Sequence, residues 1–437
     1  MTAKYVIVGN GPAGVAAAEA IRARDSAGEI LILGDERAGF YSRPGLAYLL
    51  TGSIPEKQLY SRSDETYRRL RVRRGIARAV GLDVDAHRLA LEGGQQVGYD
   101  RLLLAVGARA IRPGIPGINL PEVVTLDNLD DARSILKIAR RTRRAVVVGG
   151  GITAVELAEG LASQGVEVHY LLRKERYWGA VLDPHESALV EERLEEEGIR
   201  LHRNTELSQV LAKRGGVVGV ELVDGRRLAC GMLAVAIGIR PKLELAQAGG
   251  LATDRGVLTD EYLRTSDPDI FAAGDVAEVL DPERGVRVLD SLWSTALSQG
   301  AAAGGNMAGA GEPYPRGIPF NVTRVGGVTV TLIGTVGSGV EEGDLVSIAR
   351  GDSEAWRGRV DAFAIEAEAE RSRIRILVGR DRLVGAVVMG DQTWSRPLQR
   401  LIAGRVGIAD VRPILVDRPE RMLGVLEDLW KEAQRAA

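Results

Sequence analysis

Two glycine-rich turns, each leading out of a short apolar run, constrain this chain more than any other feature. The first is Lys4-Tyr-Val-Ile-Val-Gly-Asn-Gly-Pro-Ala-Gly14 and the second is Arg144-Ala-Val-Val-Val-Gly-Gly-Gly-Ile-Thr-Ala154. Tyr5–Val8 carries no polar alternation, as expected of a parallel strand covered on both faces. Gly9 permits the tight turn, Gly11 lets the backbone approach a pyrophosphate, and Gly14 lets the next helix pack close. That helix, through Ala16–Ala23, points free amide groups at the pyrophosphate. One such motif is a weak signal. Two of them predict a chain that holds two dinucleotides and moves electrons between them.

The strands that follow the two helices differ at their ends. Glu29-Ile-Leu-Ile-Leu-Gly-Asp-Glu36 closes on two acids, about 20 residues beyond the glycines, the spacing of a carboxylate on a ribose diol. Glu36 is the first candidate and Asp35 the second. In the other unit, Val166-Glu-Val-His-Tyr-Leu-Leu172 ends without an acid, and Arg173, Lys174 and Arg176 follow. Losing the carboxylate removes repulsion against a 2′-phosphate, and the cations pair with one. The expected donor is NAD(P)H with a lean to NADPH over NADH.

Bulk properties narrow the class. A chain of 437 residues calls for several domains. A net charge of −2 speaks against nucleic acid, which needs a strongly basic face. No apolar run reaches the length of a membrane span, and no basic leader precedes the first strand, so a cytoplasmic protein is expected. Cys230 is the single cysteine, which excludes an internal disulfide, a Cys-x-x-Cys pair and a cluster built on the chain's own thiolates. His87, His169, His185 and His202 are scattered without metal-ligand spacing, so no metal is expected.

At this point the chain resembles the FAD- and NAD(P)-dependent pyridine nucleotide oxidoreductases with two dinucleotide-binding domains. Tyr99-Asp-Arg-Leu-Leu-Leu-Ala-Val-Gly-Ala-Arg109 is similar to the family's strand and turn leaving the flavin domain. Leu233-Ala-Val-Ala-Ile-Gly-Ile-Arg-Pro241 is similar to its counterpart in the nicotinamide domain. Thr265-Ser-Asp-Pro-Asp-Ile-Phe-Ala-Ala-Gly-Asp275 resembles the second flavin motif, whose aspartate binds the ribityl chain. The style is closest to the flavin part of assimilatory nitrite reductases and to rubredoxin and ferredoxin reductases, through Gly9-Asn-Gly-Pro-Ala-Gly14 and Phe40-Tyr-Ser-Arg-Pro-Gly-Leu46. Related NADH oxidases and coenzyme A disulfide reductases carry a redox cysteine where Pro44 stands, and ferredoxin reductases often carry a lysine where Tyr48 stands.

The resemblance implies FAD on Gly9, Gly11, Pro12, Ala13, Gly14, Asp35, Glu36, Arg43, Pro44, Ala79, Ala105, Val106, Gly107, Gly274, Asp275, Leu292, Trp293 and Ala296. It implies NAD(P)H on Gly149, Gly150, Gly151, Ile152, Thr153, Glu156, Arg173, Lys174, Ile237 and Gly238. Arg43 is expected to hold the pyrophosphate. Trp293, Ala296, Gln299 and Gly300 match a helix running to the flavin's pyrimidine end. Tyr48 and Trp293 are the candidate neighbours of the ring, and no side chain is assigned as acid or base. With no thiol outlet, the implied activity is hydride transfer from NAD(P)H to FAD and onward transfer to a small redox protein or iron–sulfur partner subunit. An NAD(P)H oxidase or quinone reductase is the alternative, and a non-catalytic nucleotide-binding subunit the alternative of another class.

The expected architecture is α/β, with two Rossmann-like domains and a C-terminal α+β domain. Flavin-domain segments 1–115 and 251–318 enclose a nicotinamide domain at 116–250, and 319–437 forms an interface domain of the kind that dimerises. The 83–100 stretch predicts a hairpin, 129–140 an amphipathic helix, 183–198 an acidic helix with a solvated face, and 309–317 a linker. Strand pairs are expected over 320–334 and 373–388, and helices near 395–404 and 419–434. The stretches ending at Trp356 and Trp394 are candidates for a partner surface or for core packing.

Overall fold

The apolar run Lys4–Val8 becomes the central strand of a five-stranded sheet, ordered Ile270–Ala272, Arg101–Leu104, Lys4–Val8, Glu29–Gly34, Val72–Ile76, with every pair parallel. Burial on both faces explains its lack of alternation, since Val6 and Ile7 are almost fully covered. The computed structural model describes residues 2–281, 285–337, 350–354, 362–369 and 372–436. The second fingerprint builds the same device again. Arg144–Val148 is the centre of a parallel sheet ordered Arg200–His202, Glu167–Leu171, Arg144–Val148, Met232–Val235, Val123–Val124. The fold is therefore α/β with two Rossmann-like units, and the first sheet recruits Ile270–Ala272 from beyond the second.

A third five-stranded sheet is antiparallel, ordered Phe320–Val325, Val328–Gly334, Leu383–Met389, Ser372–Val378, Phe363–Ala369. Helices Ser395–Ala403 and Met422–Ala436 pack its apolar side. The 83–100 stretch forms two strands of a three-stranded antiparallel sheet with Ala79–Asp83, so it turns twice where one hairpin was expected. Leu129–Ala139 is the amphipathic helix, closed at its start by a capping box of Asn128 and Asp131. Among the described residues no helix is long and apolar enough to cross a membrane.

Contacts made by distant parts of the chain sharpen three expectations. Pro184–Glu196 is helical, and Glu192, Glu195 and Glu196 face solvent as expected, but Glu186 and Glu191 do not. Glu186 is fully buried, and Arg375 of the third sheet donates to it through Nε at 2.8 Å and Nη2 at 2.9 Å. Arg373 reaches Asp183 at 2.9 Å. The 309–317 segment has no regular structure, yet it is anchored: Arg316 bridges the buried Asp281 and Asp290 at 2.9 and 3.0 Å. His169 and His202, read as scattered, meet across adjacent strands with Nδ1 and Nε2 2.8 Å apart. Arg144 and Arg200 surround the neighbouring Glu167, and no group of three or more metal-ligating side chains forms among the described residues. Of the two tryptophan-bearing stretches, Asp352 and Ser353 are buried, Trp394 packs on the third core, and Trp356 lies outside the described residues.

Candidate active site

A cavity of about 710 Å³ opens at the carboxyl ends of the first sheet's strands and extends to the second fingerprint helix. Its first wall is the turn Gly9–Ala13. Gly9 takes φ +123° there, and a Cβ on it would lie 2.0 Å from the Ala105 carbonyl oxygen. Gly14 does not line the cavity; a Cβ there would lie 2.0 Å from the Gly9 carbonyl oxygen, so its role is helix packing. A Cβ on Gly11 would meet nothing within 4 Å. The helix Pro12–Arg24 thus aims its first amides into open space, the cradle a pyrophosphate needs. The residues present fit FAD.

The remaining flavin candidates gather on the same wall: Asp35, Glu36, Arg43, Pro44, Ala79, Ala105, Val106, Gly107, Gly274, Asp275, Leu292, Trp293 and Ala296, with Tyr48 beside them. Gln299, fully buried, accepts the Gly274 amide at 2.8 Å and so holds the turn that presents Asp275. Its neighbour Gly300 abuts the fingerprint helix, where a Cβ would lie 2.1 Å from the Ala13 carbonyl oxygen. Trp293 tilts against Phe40 with ring centroids 5.7 Å apart.

Glu36 accepts a hydrogen bond from the Tyr41 hydroxyl at 2.6 Å and another from Arg43. The Arg43 guanidinium also donates to the Asp127 carbonyl oxygen. It therefore braces the ribose candidate Glu36 while lining the cavity. Asp127 in turn accepts from the Ala110 amide and, at 2.7 Å, from Arg350 of the C-terminal region. Sequence reasoning missed Asp127 and Arg350, because neither belongs to a motif and each acts on a neighbour distant in the chain.

Of the nicotinamide candidates, Ile152, Thr153 and Glu156 line the cavity. Thr153 Oγ1 is buried with no hydrogen-bond partner in the structure, an orphan consistent with a polar ligand. Burial pushes the Glu156 carboxyl up to about 7, against an opposing pull from Arg350. Gly149, Gly150, Gly151, Arg173, Lys174, Ile237 and Gly238 are not among the lining residues. They sit at the carboxyl ends of the second sheet's strands, with Arg173 and Lys174 exposed. Sequence reasoning also missed Glu159, Glu197 and Arg324, which continue the cavity wall past Glu156. No histidine or cysteine lines this cavity. Cys230 is buried elsewhere, under the second sheet, and burial pushes its thiol up to about 11.

The family model described as pyridine nucleotide-disulphide oxidoreductase matches residues 3–300. The chain belongs to that family. It is 34% identical over 397 residues to the ferredoxin–NAD(+) reductase component of a biphenyl dioxygenase system from Paraburkholderia xenovorans, covering 88% of this chain and 95% of that one. It is 30% identical over 312 residues to a rubredoxin–NAD(+) reductase from Pseudomonas putida, covering 71% and 81%. Among solved structures it resembles a ferredoxin reductase from Rhodopseudomonas palustris, with a TM-score of 0.80 at 26% identity over 91% of this chain and 93% of that one. With one buried cysteine, this family member is an FAD-dependent NAD(P)H oxidoreductase that works without a redox-active disulfide.

Proposed function

We propose that the chain takes hydride from a nicotinamide dinucleotide at the Glu156 end of the cavity and hands electrons singly to a separate redox protein. The observation that carries this reading is one cavity with walls from both fingerprints and no thiol or imidazole on them. Bound FAD supplies a two-electron acceptor that can be reoxidised in single steps. The chain's own work is placement: Glu36 and Asp275 fix the sugar hydroxyls, and the helix amides after Gly11 fix the pyrophosphate. Thr153 and Glu156 orient the donor, since hydride transfer needs geometry more than an added base. In this reading, segments 1–115 and 251–318 form the flavin domain around a nicotinamide domain at 116–250.

Support for a protein acceptor comes from relatives named ferredoxin– and rubredoxin–NAD(+) reductases. Those names also weigh toward NADH, against the lean to NADPH drawn from Leu172, Arg173 and Lys174. Comparing kcat/KM for the two donors in the wild type and in Arg173→Ala separates these readings, since only a 2′-phosphate site loses NADPH selectively. The decisive test is anaerobic addition of NADH or NADPH to the FAD-loaded protein. Bleaching of the visible flavin band is expected, and a band unmoved by either donor would sink the reductase reading.

A further inference from the structure

Rested on that reading, the chemistry leaves a proton behind. A nicotinamide donor gives up one hydride, equivalent to two electrons and one proton. An acceptor that takes electrons alone therefore obliges the cavity to release one proton per donor oxidised. The cavity wall has no histidine or cysteine to carry it. We propose that Glu156, Glu159 and Glu197 form the exit for this proton, running from the donor's end of the cavity to solvent.

Geometry supports the route at each step. Glu156 and Glu159 lie on the helix Ile152–Ser163, three residues apart and hence on one face. Both line the cavity, as do Ala162 and Ser163 further along that face. Glu197, just past the helix Pro184–Glu196, lines the same cavity and is exposed, which makes it the outer end. The turn between the strands Phe320–Val325 and Val328–Gly334 roofs the middle: the Gly327 amide donates to Glu159 Oε1 at 3.0 Å. Behind the helix lies Tyr177, fully buried, with a hydroxyl that has no hydrogen-bond partner in the structure. A buried hydroxyl of that kind is a seat for ordered water, and its phenol feels the charge of both Glu159 and Glu156.

The charges facing the route come from several elements. Arg350 favours ionised Glu156, and Arg324 favours ionised Glu159 and Glu197. Burial works the other way and holds Glu156 and Glu159 both at about 7, with the charges of Glu197 and Glu156 adding to it at Glu159. The charge of Asp352 also pushes the Tyr177 phenol up. Two carboxyls poised near neutrality can accept and pass a proton with little driving force in either direction.

The test uses the FAD-loaded protein, reduced anaerobically with NADH and reoxidised by ferricyanide, which binds no proton. A pH-indicator dye follows the proton while flavin absorbance follows the electrons. In the wild type the two should keep step. In Glu159→Gln, which keeps an oxygen for the Gly327 amide, proton release should lag about tenfold or more, and Glu159→Asp should recover most of it. Infrared spectra without nicotinamide give a second readout: a protonated-carboxyl band titrating near pH 7, weakened in Glu156→Gln and again in Glu159→Gln. Protons that keep step in Glu159→Gln, or no such band, would overturn the exit while bleaching by NADH stays intact. A flavin that NADH does not bleach overturns the reductase reading itself, and the exit with it.

Discussion

A carboxyl held at about 7 by burial leaves a trace in stability as well as in catalysis. For Glu156 the folded value lies above the ordinary 4.5, so the native state binds more protons than the unfolded chain between those two values. Stability from this group is complete at low pH and is lost as pH rises toward 7. Glu156→Gln should therefore raise the melting temperature of the cofactor-free protein at mildly alkaline pH and leave it little changed in acid, as calorimetry across that range would read. Cys230 makes the opposite kind of prediction. Its thiol is buried under the second sheet, away from the cavity, so Cys230→Ser should cost about 1 kcal/mol of stability and leave NADH-driven reduction of the flavin intact. Turnover abolished by that change would point to a thiol route. At this scale the sequence announces Glu36, Asp275 and Glu156 because each has a fixed offset from a glycine motif. Asp127 and Arg350 have no such offset. Only the folded chain brings the Arg350 guanidinium to Asp127, 223 positions earlier.

Among the elements, the contact between the helices Pro12–Arg24 and Trp293–Met307 ties the first fingerprint to a segment far later in the chain. Gly300 and Gly304 let the backbones touch, since a Cβ at either would lie within 2.3 Å of the Ala13 or Ala17 carbonyl oxygen. Gly300→Ala must push the helices apart, at a cost of about 1–3 kcal/mol, and should weaken FAD retention because Ala13, Gly274 and Ala296 line the same cavity. A lower melting temperature with faster FAD loss on dilution is the expected pair of results. Normal retention would show that the helix contact does not set the site. The strands and helices themselves were legible: apolar runs marked the parallel strands, and an amphipathic pattern marked the helix at 129–140. Their environments were not. An acid looks solvated in sequence whether it faces water, as Glu195 does, or an arginine from the far end of the chain, as Glu186 does.

For the whole molecule, the arginine pair Arg373 and Arg375 joins the second Rossmann-like unit to the C-terminal sheet. Arg375 is satisfied on every side, by the Glu186 carboxylate and by the Val181 and Val336 carbonyl oxygens at 3.0 Å. Arg375→Met strands the Glu186 carboxylate in the interior and should cost about 3–5 kcal/mol, whereas adding Glu186→Met should recover much of the loss. Chemical denaturation of the two variants measures both. A double variant no more stable than the single one would mean that packing, not charge, makes the joint. The sequence by itself determined the two Rossmann-like units, the acids that end up on the cavity wall and the lack of a thiol outlet, because each depends on residues close together in the chain and on backbone geometry that glycine alone permits. Tertiary structure decided which charges are buried, which carboxyls share one cavity and how the C-terminal sheet roofs it. Those properties depend on desolvation and on pairs formed across hundreds of residues, and no local pattern encodes them.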